Sequence, residues 1–92
     1  MEKLSLISRN TLSSASELAN FIMGRRHMGR SLQYMFTGIN TKNTFADVEN
    51  KLNKMAKEYQ CSDVRKHIEK IQGLLPENKN ITISQYYRLA NI

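Results

Sequence analysis

Apolar side chains recur at helical spacing in the middle of the chain. Starting from one valine, they return at i+4, i+7 and i+11, as Val48, Leu52, Met55 and Tyr59. This spacing places them on one stripe of an amphipathic helix. Thr44 is the expected N-cap, and Asp47 favours the positive end of the helix. We therefore predict a helix over residues 45–59.

A second stripe follows with similar spacing: Val64, Ile68, Ile71 and Leu75. Ser62 is the expected N-cap of this helix, and Gly73 and Pro76 supply stop signals near its end. We predict a helix over residues 63–73. Because so few residues separate the two helices, we expect an antiparallel helical hairpin with the two stripes facing each other.

Three shorter helices are predicted around this hairpin. Ser14 and Glu17 have the form of a capping box for a helix over residues 12–24. Apolar spacing and the signals at the ends predict two more, over residues 30–38 and 84–91, with Ser84 capping the last. Residues 4–8 fit an extended arm or a short strand. The predicted fold is all-α, a small compact bundle of four to five short helices with the hairpin at its centre, forming one domain over residues 1–92.

Length and composition exclude several classes of protein. A chain of 92 residues supports one modest core, and its longest apolar runs are far shorter than the roughly 20 residues that span a bilayer. The N-terminus lacks the continuous apolar block of a signal peptide. Cys61 is the only cysteine, so no disulfide forms within the chain. We expect a cytoplasmic protein without membrane association.

Signatures of enzymes are missing from the sequence. The two histidines, His27 and His67, form no repeated spacing with Cys61 that resembles a zinc site. No phosphate-binding glycine loop, nucleophile elbow or paired-carboxylate arrangement stands out. We expect a protein that is not an enzyme and carries no cofactor and no metal.

The positive charge favours an acidic partner. The net charge is +6, of which residues 1–46 carry +4 and residues 47–92 carry +2. The densest basic segment lies at the predicted join of two helices, where arginine side chains can grip phosphates. The candidate contacts with nucleic acid or an acidic partner are Arg25, Arg26, His27, Arg30, Gln33 and Tyr34. The alternative is a solvated junction whose arginines cover apolar surface and pair with local carboxylates.

Two further sets of residues are candidate binding surfaces, and each set also has a purely structural interpretation. Basic residues on both hairpin helices extend a phosphate-binding surface or, because glutamates alternate with them, form ordinary solvated faces: Lys51, Lys54, Lys57, Arg65, Lys66 and Lys70. Four residues are candidates for contact with a protein partner: Met28, Tyr86, Tyr87 and Arg88. The alternative is that at least one of these tyrosines closes the core.

The leading hypothesis from the sequence is a non-catalytic regulatory protein. It binds nucleic acid, or the acidic surface of a nucleic-acid-handling complex, through the basic segment between residues 25 and 30. The main alternative is an adaptor or inhibitor that docks an apolar methionine- and tyrosine-bearing helical face on another protein. Residues 12–39 also fit a helix-turn-helix loosely. A ribbon-type dimer is a weaker alternative. A third possibility for function is a homodimer of the helical domain.

Overall fold

The computed structural model describes residues 12–27 and 29–90, with the backbone alone at Ser31. It contains five α-helices in this range, which we number in chain order: α1 Ala15–Ile22, α2 Arg30–Met35, α3 Phe45–Glu58, α4 Ser62–Leu74 and α5 Ile83–Ala90. No β-strand occurs among these residues, and the prediction of a small all-α bundle is confirmed. The predicted arm or strand at residues 4–8 lies outside the described residues.

Helices α1 and α2 are shorter than predicted. Residues 12–14 precede α1 because Ser14 is extended, with φ −158° and ψ 161°, and its hydroxyl accepts a hydrogen bond from the Glu17 backbone. The predicted capping box is half formed, since the Glu17 carboxylate accepts from the Ser13 backbone at 3.1 Å. Helix α2 ends at Met35, and Gly38 follows with φ +89°, a conformation that a helix does not contain.

The first residues of α4 and α5 differ from the sequence prediction. Ser62 is the first residue of α4, and the N-cap is Cys61, which makes no side-chain capping bond. In the last helix the cap is Thr82, two residues before the predicted Ser84. The Thr82 hydroxyl accepts from the Gln85 backbone at 3.1 Å, and the Gln85 side chain accepts from the Thr82 backbone at 3.1 Å. This reciprocal capping box starts the helix at Ile83.

The apolar stripes converge on one core. The predicted residues Val48, Leu52 and Met55 are buried, and Phe45 at the first position of α3 is buried with them. Every helix contributes to this cluster, and two residues beside helices, Leu12 and Phe36, join it. The other members outside α3 are Leu18, Ala19, Leu32, Met35, Ile68, Ile71 and Ile83. Helices α3 and α4 pack against each other, as do α1 and α5. The antiparallel direction of the α3 and α4 pair stays a prediction.

The N-termini of α3 and α5 are joined by a clasp, by which we mean residues 41–46 and 79–84. Thr44 and Thr82 form an isolated antiparallel β-bridge at its centre. The Phe45 and Ala46 N–H groups donate to carbonyls of the second segment at 3.2 and 2.7 Å, and the Ile83 and Ser84 N–H groups donate to carbonyls of the first at 2.9 and 3.0 Å. Each segment therefore satisfies N–H groups that a helix N-terminus leaves without partners.

An ion pair reinforces the clasp from outside. Lys79 Nζ lies 2.6 Å from Glu49 Oε2, which joins the second segment to the first turns of α3. Thr44 is also the N-cap of α3, in a capping box with Asp47 that confirms the predicted cap. Hydrogen bonds from the Asn43 side chain and the Thr44 backbone to the Asp47 carboxylate lower the pKa of this group. The clasp thus fixes two loops that are far apart in sequence.

Candidate nucleic-acid interface

The α1–α2 junction, residues 23–29, begins with a glycine turn. Gly24 has φ +77°, which an L side chain rarely adopts. The Gly24 N–H donates to the Phe21 carbonyl at 3.0 Å, and the Arg25 N–H donates to the Asn20 carbonyl at 2.8 Å. These bonds end α1 in a tight turn. The chain leaves the helix here and brings the basic segment to the surface.

The basic side chains of the junction, together with Arg30 at the first position of α2, fall into two groups. Arg25, His27 and Arg30 are exposed to solvent. Arg26 is half-buried and forms an ion pair with Glu17 of α1. Neither Arg25 nor Arg30 forms an ion pair with a carboxylate within residues 12–27 and 29–90. A negatively charged ligand therefore meets two uncompensated guanidinium groups, whereas binding through Arg26 requires competition with Glu17.

Helix α2 continues this exposed surface with Gln33 and Tyr34. The Tyr34 side chain is 63% exposed, whereas Phe36 is buried. The Tyr59 hydroxyl donates a hydrogen bond to the Tyr34 hydroxyl at 2.8 Å, and the two rings meet edge to face at 6.4 Å. The bond to Tyr34 is the largest cause of the raised pKa of Tyr59. The Tyr34 ring is thus held in place and open to solvent.

The C-terminal candidates lie apart from this surface in sequence and differ in exposure. Tyr86 packs edge to face on Phe45, with ring centroids 5.2 Å apart, so the prediction that a tyrosine closes the core is confirmed. Tyr87 is half-buried against the same core. Arg88 is exposed and donates to the Ser84 hydroxyl at 3.4 Å. Met28, the fourth candidate for protein contact, lies outside the described residues.

A polar groove that the sequence did not single out lies between α3 and α4. Its volume is about 710 Å³, and the lining side chains are Asn53, Ala56, Lys57, Tyr59, Gln60 and Arg65. No lining residue in the described part of the chain is acidic. Lys57 and Arg65 were candidates for a phosphate-binding surface, but alternation with glutamates favoured solvated faces. The groove was missed because its lining depends on how α4 lies against α3.

A smaller apolar pocket lies beside the tyrosine pair. It has a volume of about 210 Å³ and includes Met55, Val64 and His67 in its lining. Burial lowers the pKa of His67, and the positive charge of Lys70 lowers it further. The folded protein therefore favours the neutral imidazole.

This shift predicts a loss of stability in mild acid. Because the pKa of His67 is lower in the folded protein than its ordinary value of 6.5, the unfolded chain binds the proton first as the pH falls. The contribution to stability is complete above pH 6.5 and is lost as the pH falls from there through the folded pKa. Urea denaturation between about pH 7 and about pH 5 should show this fall, and His67→Gln should reduce it. The exposed His27→Gln is the control, and an equal reduction in both variants would contradict the assignment.

Two further observations concern metal ions and membranes. Across residues 12–27 and 29–90, no group of three or more His, Cys, Asp or Glu side chains is placed to hold a metal ion. None of the helices found in that part of the chain has both the length and the apolar character needed to cross a membrane.

Comparison with known proteins identified no relative of this chain. The chain matches no protein-family model, no curated protein and no solved structure.

Proposed function

We propose that this chain is a non-catalytic regulatory protein that binds nucleic acid, or the acidic surface of a nucleic-acid-handling complex, through the α1–α2 junction. The observation that carries the proposal is the exposure of Arg25, His27 and Arg30 without a carboxylate paired to either arginine in the described range. The net charge of +6 draws the same ligands toward the protein. A cytoplasmic location is part of the proposal and is supported by the single cysteine.

The mechanism is neutralisation of phosphate charge and occupancy of a binding site. Each phosphate that a guanidinium group neutralises releases condensed counterions, which makes the affinity fall as salt rises. Arginine also presents a planar fork of N–H donors that matches two phosphate oxygens. Binding regulates a process by covering the nucleic acid or the complex. No bond in the ligand is made or broken.

A second candidate function is docking on a protein partner through the outer face of α5. Leu89 is 63% exposed there, and it lines a shallow depression with Ile81, Gln85 and Arg88. A single exposed leucine is common on protein surfaces, so it supports protein docking less strongly than the two exposed arginines support nucleic-acid binding. Such a contact tolerates salt and weakens on Leu89→Ala. A homodimer of the chain is a third proposal, which a melting temperature that rises with protein concentration would support.

The test of the leading proposal compares two double variants of equal charge. Arg25→Ala/Arg30→Ala should weaken binding of a labelled oligonucleotide at low salt by about tenfold or more, because each lost guanidinium removes a charge-assisted contact. Lys42→Ala/Lys70→Ala, which removes the same charge from exposed positions elsewhere, should change affinity much less. Fluorescence anisotropy measures both. Equal weakening in the two variants would show that net charge alone, and not the junction, determines binding.

A further inference from the structure

The α3–α4 groove presents hydrogen-bond donors. Lys57 and Arg65 are exposed on its two sides, one from each helix, and Asn53 and Gln60 add side-chain amides. The Gln72 amide donates to Asn53 Oδ1 at 2.7 Å, which occupies the acceptor atom of Asn53. The Asn53 amide nitrogen is left to donate to a ligand. With no carboxylate in the described lining, this chemistry suits the oxygen atoms of phosphates.

The tyrosine pair connects this groove to the α1–α2 junction. Tyr59 lines the groove, and its hydroxyl is bonded to that of Tyr34 on α2. Arg30 lies four residues before Tyr34 on the same helix, so the two side chains share a face. The tyrosine pair thus links two cationic sites, Arg30 on α2 and the pair Lys57 and Arg65 in the groove, and we treat these residues as one surface. Two carboxylates, Glu58 and Asp63, line pockets beside the two rings, so the positive charge of this surface lies at its two ends.

We propose that this surface binds a single strand of nucleic acid, with the phosphates in the α3–α4 groove and a base stacked on the Tyr34 ring. The inference rests on the proposed function and specifies the form of the ligand. Cationic grooves with aromatic platforms bind single strands because unpaired bases expose their faces. In a duplex the base faces are covered by their neighbours, and the Tyr34 ring has no partner there. The surface thus prefers single strands over duplexes.

The first experiment tests the groove. The probe is a fluorescein-labelled single-stranded oligodeoxythymidine of about 12 nucleotides, a length within the range that such surfaces occupy, and a duplex of the same length serves for comparison. Lys57→Ala/Arg65→Ala should weaken binding of the single strand by about tenfold or more. The matched control is Lys42→Ala/Lys70→Ala, which removes the same charge outside the groove. Unchanged affinity in the groove variant, or weakening equal to that of the control, would overturn the proposal.

The second experiment tests stacking on Tyr34. Tyr34→Ala should weaken single-strand binding about fivefold or more, whereas Tyr34→Phe, which keeps the ring and loses only the hydroxyl, should bind nearly as the wild type does. The chain has no tryptophan, so tyrosine emission reports directly on the rings, and addition of the strand should quench it less in Tyr34→Ala. Equal losses of affinity in Tyr34→Ala and Tyr34→Phe would show that binding depends on the hydroxyl and not on the ring, which would overturn stacking. Far-ultraviolet circular dichroism of each variant checks that the helices remain.

The outcomes separate this inference from the proposed function. If the wild type binds neither single strand nor duplex at low salt, both the proposed function with nucleic acid and this inference are wrong. If Arg25→Ala/Arg30→Ala weakens binding and the groove and Tyr34 variants do not, the junction binds nucleic acid and the inference alone is wrong. Tighter binding of the duplex than of the single strand would also overturn the inference. A preference for the single strand that is lost in Tyr34→Ala, together with weaker binding by the groove variant, supports the inference.

Discussion

Phe45→Ala lowers the free energy of unfolding by about 3–5 kcal/mol, the range for deletion of a buried aromatic side chain. The ring has no exposed surface, and it packs edge to face on Tyr86 while its backbone takes part in the clasp. A domain of this length has a total stability of about 5–14 kcal/mol, so the loss is a large fraction of the whole. We expect this to be the largest effect of any single truncation in the clasp.

Urea denaturation followed by circular dichroism measures this change. Leu89→Ala is the control, because Leu89 is large and apolar but 63% exposed, and its truncation should change stability by about 0.5 kcal/mol or less. A loss below about 1 kcal/mol for Phe45→Ala would contradict the position of this ring at the centre of the core.

Loss of the two threonine caps has the second largest expected effect. Thr44→Ala and Thr82→Ala should each cost about 1 kcal/mol, since each hydroxyl accepts a hydrogen bond from the backbone of the third helical residue. The two threonines face each other across the β-bridge of the clasp. We therefore expect the double variant to differ from the sum of the single variants by about 0.5 kcal/mol or more.

The controls for the caps are the serines that the sequence alone favours. Ser62→Ala and Ser84→Ala should each change stability by about 0.5 kcal/mol or less, because neither residue is the cap of its helix. Thermal and urea denaturation of the four single variants and the double variant measure these changes in stability. If Ser84→Ala cost more than Thr82→Ala, the first residue of α5 would be assigned wrongly.

The sequence predicted α3 well and the first residues of α4 and α5 poorly, for a physical reason. Helix α3 has a wide apolar stripe and a strong local cap at Thr44, so local signals suffice. At α5, Thr82 and Ser84 are both good caps by residue type. The choice between them depends on the bridge from Thr82 to Thr44, a contact between segments far apart in the chain. Local preference does not include that contact.

The candidate interface was predictable only in part. Gly24 marks the end of α1, and the exposure of Arg25 follows from a turn at that point. The pairing of Arg26 with Glu17 was not predictable, because it depends on how the junction folds back on α1. The α3–α4 groove needs the relative position of two helices, which periodicity does not give. Sequence reasoning therefore found the charged residues and missed the groove that Lys57 and Arg65 line.

The most direct test of nucleic-acid binding through the α1–α2 junction is the salt dependence of affinity. Anisotropy titrations of a single-stranded oligonucleotide with the wild type and Arg25→Ala/Arg30→Ala, over a series of salt concentrations, give the slope of log K against log salt. If both arginines neutralise a phosphate, the slope of the variant should be smaller in magnitude by about 1.4, from about 0.7 per contact on a single strand. Identical slopes for the two proteins, or no binding by the wild type at low salt, would contradict the proposal.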